Sequence, residues 1–186
     1  MKIKKLAFLL TLLTWSVGQC YAQNVRFKDL LSWMDFNYRG KTISDYKAYG
    51  ESLKMKLIYE KDQPMEHYLV YGNNLKYSRY DDIEESFYQL AGEPEGIEFD
   101  LTPNRDDKYN AITITVVFRN QELQQAFRKA GLAVGCIENT EMDDTNFGLD
   151  WKNVTGIKYN AMPGILTTWR FVYFYEKDGM YMAQFQ

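Results

Sequence analysis

Apolar positions recur at two periods along this chain, and the switches between them mark its elements. After Asn24, the residues Phe27, Leu30, Leu31 and Met34 fall at helical spacing, with Asn24 as the expected cap. A polar turn over 37–41 follows. A second helix is expected from Ser44, with Asp45 in its first turn, Tyr46, Tyr49 and Leu53 on one face, and Gly50 as a weak point. Met55, Leu57 and Tyr59 then alternate with Lys54, Lys56 and Glu60, the period of a half-buried strand. His67–Tyr71 and Leu75–Tyr80 flank Gly72-Asn73-Asn74 and read as a hairpin. Ile83, Phe87 and Leu90 suggest a short helix closed by Gly92.

Ile97, Phe99 and Leu101 predict a strand ending at Pro103. Ile112, Ile114, Val116 and Phe118 predict another, with Thr113, Thr115 and Val117 on its opposite face. The best-marked helix follows: Asn120 as cap, Glu122 in the first turn, an apolar stripe of Leu123, Ala126, Phe127 and Ala130, and Gly131 as its end. Residues 138–150 are acidic and irregular. Trp169–Tyr175 and Met180–Phe185, separated by Lys177-Asp178-Gly179, predict a closing hairpin. Hairpin-joined strands among helices imply an α+β fold: a mainly antiparallel sheet with three to four helices packed on one face. Segments 48–61 and 126–139 share an aromatic-bearing helix running into a strand, a weak internal duplication of a helix-plus-sheet unit.

The first 22 residues carry a different pattern. Lys2, Lys4 and Lys5 precede an apolar run from Leu6 to Leu13 and a small, polar tail ending at Ala22, the order of a cleaved signal peptide. The apolar run is shorter than the ~20 residues of a permanent transmembrane helix. Residues 1–22 are therefore read as a signal peptide and 23–186 as one exported domain, periplasmic or extracellular, with no transmembrane anchor. Gln19 before Cys20 does not suit lipid attachment.

Removing three lysines leaves 19 basic residues against 25 acidic ones, so the net charge moves from −3 to −6. That balance argues against nucleic acid as a partner. It also leaves Cys136 without a second cysteine, in an apolar setting that implies a buried, inert thiol held in a core large enough to need no disulfide.

Candidate chemistry is sparse. One His and one Cys do not make a metal cluster, and pairing His67 with Cys136 as a nucleophile has no supporting motif. The doublets Glu84-Glu85, Asp106-Asp107 and Asp143-Asp144 point their carboxylates apart rather than across a substrate, as glycoside hydrolysis requires. The loop 141–146 is acidic but lacks the ligand order of a calcium loop. The sequon Asn153-Val154-Thr155 matters only in a glycosylating host. No catalytic residue, metal site or cofactor is assigned.

The compositional excess is aromatic: 16% of the chain, led by 15 tyrosines. Phe171, Tyr173 and Tyr175 share one strand face, and Val172 and Phe174 the other. The expected ligand-binding residues are Trp169, Tyr173 and Tyr175, with Trp151 and the 141–146 loop as a rim. The sequence thus implies an exported, non-enzymatic binding protein of the bacterial cell envelope recognising a protein partner. The alternatives are a carbohydrate-binding module using exposed Trp and Tyr, and a small hydrolase with dispersed carboxylates.

Overall fold

Strands dominate the computed structural model, which describes residues 24–34, 40–80, 84–104, 106–140, 150–160 and 169–186. In chain order the elements are α1 (Phe27–Trp33), α2 (Ile43–Ser52), β1 (Lys56–Gln63), β2 (Glu66–Asn73), β3 (Leu75–Tyr80), β4 (Glu84–Gln89), β5 (Glu95–Pro103) and β6 (Tyr109–Phe118). They continue with α3 (Gln121–Ala133), β7 (Ile137–Asn139), β8 (Lys152–Asn160), β9 (Trp169–Lys177) and β10 (Met180–Phe185). Eight strands form one antiparallel sheet in the order β1-β2-β5-β6-β10-β9-β8-β7, and β3 and β4 pair separately as a two-stranded ribbon.

The period of two sorts side chains into a core on each side of the sheet. On one side Leu69, Tyr71, Ile97, Phe99, Ile114, Val116, Ala183 and Phe185 pack in a cluster that includes Phe27 and Leu30 of α1, Tyr46 of α2 and Phe127 of α3. On the other, Val70, Val117, Tyr173, Tyr175, Met180 and Met182 pack with Leu75 and Tyr77 of β3 and Phe87 of β4.

This overturns the α+β expectation of three to four helices packed on a face. Among the described residues there are ten strands and only three short helices, of 7, 10 and 13 residues. Where a helix is expected from Ile83 to Leu90, the described residues Glu84–Gln89 form strand β4, and the ribbon to which it belongs lies on the second side of the sheet. The hairpin expected around Gly72-Asn73-Asn74 does not form either, because β2 pairs with β1 and β5 while β3 pairs with β4. Asn74 has the positive φ that its residue type favours, at +54°, but there the chain leaves the sheet instead of folding back beside β2. The paired glycines Gly72 and Gly96 make room for that exit: a Cβ on Gly96 would stand 2.7 Å from Leu75 Cδ1. The two segments likened to each other, 48–61 and 126–139, run into strands of 8 and 3 residues at opposite edges of the sheet.

Several local signals resolve differently from their sequence reading. Arg26, not Asn24, precedes α1, and Asn24 instead donates to the Leu53 carbonyl at 3.3 Å. Helix α2 is capped by Thr42 in a capping box with Asp45 and so starts at Ile43, one residue ahead of Ser44. Gly131 is interior to α3. Gly135, at φ +102°, closes that helix, with Cys136 N–H donating to Gly131 O and Gly135 N–H to Leu132 O, the paired bonds of a Schellman ending. In β6 a register shift pairs Leu101 with Ala111 and Asp100 with Thr113, so Ile112 is pushed outward to 41% exposure. Strand β8, with its lysines, Asn153 and Gly156, is not marked by apolar alternation in the sequence. The hairpin β9–β10 turns through Asp178 and Gly179, both at positive φ, as a two-residue type I′ connection requires. Residues 1–22 and the 141–146 loop lie outside the described residues.

Candidate functional site: a cavity between the ribbon and strands β9 and β10

Antiparallel register brings side chains from strands distant in sequence into rows. On the ribbon side one row runs Val70, Glu98, Thr115, Gln184 and Tyr173, each paired with the next across β2, β5, β6, β10 and β9. Successive members stand about 4.5–5.5 Å apart at Cα. The adjacent row runs Gly96, Val117, Met182 and Tyr175. Where the ribbon's Phe87 and the segment leading into β8 approach each other over these rows, a cavity of about 190 Å³ remains. Its walls are Phe87, Trp151, Tyr175, Met180 and Met182, its polar groups Glu98, Thr115 and Gln184, and Lys177 and Asp178 stand at its rim.

Both aromatic and polar walls are held in place. Trp151 stacks on Tyr175 with ring centroids 3.7 Å apart and planes within 4°. Glu98 is 1% exposed, and its Oε1 accepts a hydrogen bond from the Tyr77 phenol at 2.6 Å. Tyr77 itself packs between Tyr59 and Phe87, at 4.9 and 5.0 Å. Neighbouring Arg79 lies over the Tyr68 ring at 3.7 Å, and burial, more than the nearby Glu66 and Asp100 carboxylates, holds the Tyr68 phenol far above its usual range.

The structure brings together three of the four aromatic residues singled out from the sequence. Tyr173 and Tyr175 are 5% and 4% exposed, Trp151 is half-buried against Tyr175, and its centroid is 6.5 Å from that of Tyr173. Trp169 stands apart at the start of β9, 38% exposed, with Lys158 Nζ 5.2 Å from its ring centroid. Phe171 bridges the row by stacking on Tyr173 at 6.0 Å. The sequence reading did not pick out Glu98, Thr115, Gln184, Met180 or Met182. Alternation with Ile97, Phe99 and Leu101 makes Glu98 look like a solvent-facing strand residue, and only the ribbon lying over β5 makes it an interior one.

The weaker sequence candidates do not converge. His67 is buried on β2 with Nδ1 3.1 Å from Asp62 Oδ1 and Nε2 3.2 Å from Glu60 Oε1, and Lys47 also pairs with Glu60 at 2.8 Å. Cys136 lies just before β7, at the opposite edge of the sheet from β1 and β2. Burial pushes its thiol up to about 11. Asp106 and Asp107 occupy a turn at positive φ, and Asp143 and Asp144 lie outside the described residues. No group of three metal-ligating side chains occurs among the described residues.

A larger cleft of about 360 Å³ lies between α3 and strands β8–β10, and several of its polar side chains are engaged in bonds within the fold. Gln124 Nε2 donates to both Tyr175 O and Met182 O, Arg128 pairs with Glu138, and Asn153 donates to Glu176. The smaller cavity combines aromatic walls with hydrogen-bonding groups facing into it, the usual composition of a ligand site. No family model, curated protein or solved structure matches this chain.

Proposed function

We propose that the chain is an exported, non-enzymatic binding protein of the bacterial cell envelope whose partner places one ring-sized group in the Trp151–Tyr175 cavity. The cavity carries this reading: aromatic walls and three inward hydrogen-bonding side chains meet on the ribbon side of the sheet. The leader pattern over residues 1–22 supports export, and the aromatic excess supports recognition by surface area and hydroxyls rather than by chemistry. A volume of about 190 Å³ suits a single ring or side chain, since sites for drug-sized ligands run about 300–1,000 Å³.

The test is to express the whole chain in a bacterium, recover the processed protein from the periplasm, and immobilise it against envelope extract and soluble glycans. The expected result is a mass corresponding to a new N-terminus at Gln23, with specific retention of one component. Trp151→Ala should abolish that retention, and Tyr175→Phe should preserve it, both with an unchanged circular dichroism spectrum. Retention that survives Trp151→Ala would move the binding site elsewhere, and an unprocessed cytoplasmic product would overturn export.

A further inference from the structure

Three hydrogen-bonding groups of different character line this cavity in one row. Glu98 offers a carboxylate, Thr115 a hydroxyl, and Gln184 an amide, on the neighbouring strands β5, β6 and β10. Gln184 Oε1 is buried and has no hydrogen-bond partner among the described residues. An amide oxygen left this way costs stability, and an apolar side chain of similar size would avoid the cost. Retaining it is explained if a ligand completes it.

The ligand must satisfy this row and also pack on Trp151, Tyr175 and the two methionines. A purely aromatic group would fit the walls but desolvate the three polar groups without replacing their hydrogen bonds. An ammonium group only donates, which suits the Glu98 carboxylate and Gln184 Oε1 but gives the Thr115 hydroxyl proton and the Gln184 amide N–H₂ no acceptor. A hydroxyl both donates and accepts, so a ring bearing several of them meets all three groups, in either orientation of the amide. The faces of such a ring are lined with C–H groups that lie against aromatic side chains. Resting on the binding reading above, we infer that the cavity holds one pyranose ring of a saccharide, stacked against the Trp151–Tyr175 wall and hydrogen-bonded along the Glu98–Thr115–Gln184 row.

Calorimetric titration of the processed protein with glucose, galactose, mannose and N-acetylglucosamine tests this, with ethylamine and phenylalanine as amine and aromatic probes. The expected result is saturable binding of at least one sugar with a Kd of about 1 mM or tighter. Gln184→Leu should weaken that binding at least tenfold while leaving the thermal midpoint unchanged or raised. A residue serving only the fold would lower the midpoint instead. Affinity unchanged in Gln184→Leu overturns the assignment of the row. Binding of ethylamine or phenylalanine, lost in Trp151→Ala, with no sugar bound, overturns the saccharide but keeps the site. Absence of all six, with an envelope protein retained independently of Trp151, overturns the saccharide and the site together.

Discussion

The phenol of Tyr77 on β3 donates to Glu98 Oε1 on β5 at 2.6 Å, and both side chains are buried. This bond fastens the two-stranded ribbon to the main sheet beside the cavity. Beside it, ribbon and sheet are joined by apolar packing of residues such as Leu75 and Phe87 and by the Arg79 guanidinium over the Tyr68 ring. A hydrogen bond to a charged group contributes about 1.5–3 kcal/mol. Tyr77→Phe keeps the ring and its packing but removes the donor. Urea unfolding should therefore show a loss of about 1.5–3 kcal/mol. An unchanged midpoint would mean that the ribbon's other contacts hold it without this bond.

How much of this was legible in the sequence depends on whether a signal is local. The type I′ turn at Asp178-Gly179 is chemistry of two adjacent residues, and the closing hairpin followed from it. The α3 stripe was likewise legible from Asn120 onward, because cap and stripe lie within one helix. The turn at Asn74 was also local, but its residues fix a backbone angle and not the next strand's partner. Whether β3 returns beside β2 or crosses over the sheet depends on Leu75 fitting over Gly72 and Gly96, the second of them more than twenty residues further on. Phe87 and Leu90 fit helical spacing, yet pairing with β3 placed Phe87 in strand β4, and Leu90 lies just beyond its end. The cavity's polar row needed the strand order itself, since Glu98 and Gln184 meet only through β6 and β10. Trp151 and Tyr175 were each conspicuous as aromatic residues, but their stacking was not.

The buried thiol of Cys136 ties stability to alkaline pH. Its pKa is raised from 9.0 to about 11 by burial, so the folded state holds this proton more tightly than the unfolded chain does. The contribution is fully present below pH 9 and is lost as pH rises from 9 through about 11. Tyr71, also raised by burial, to about 12, extends the decline to higher pH. Thermal midpoints should accordingly fall above pH 9, and Cys136→Ala should make that fall shallower, at some cost in packing at neutral pH. Alkylation at pH 8 should be slow in the native protein and rapid in urea. Fast native labelling would contradict the burial of this side chain.

Gly131 sets two effects of opposite sign against each other. It sits inside α3, where replacing glycine with alanine ordinarily gains about 1 kcal/mol of helix propensity. Here, however, a Cβ would stand 2.6 Å from Ile157 Cδ1 on β8 and 2.7 Å from Phe27 Cζ on α1. The glycine lets α3 approach both neighbours closely, and overpacking such a contact costs about 1–3 kcal/mol. Packing should win, so Gly131→Ala is expected to destabilise by up to about 2 kcal/mol despite its better propensity. Removing the obstructing methyl separates the two terms. Ile157→Val alone should cost about 0.5–1.5 kcal/mol, but added to Gly131→Ala it should cost less, because the deleted Cδ1 is the atom that the new methyl meets. Denaturation of the two single variants and the double variant measures that coupling. Strict additivity would place the strain against Phe27 alone, and a stabilised Gly131→Ala would show that α3 sits further from the sheet than these distances require.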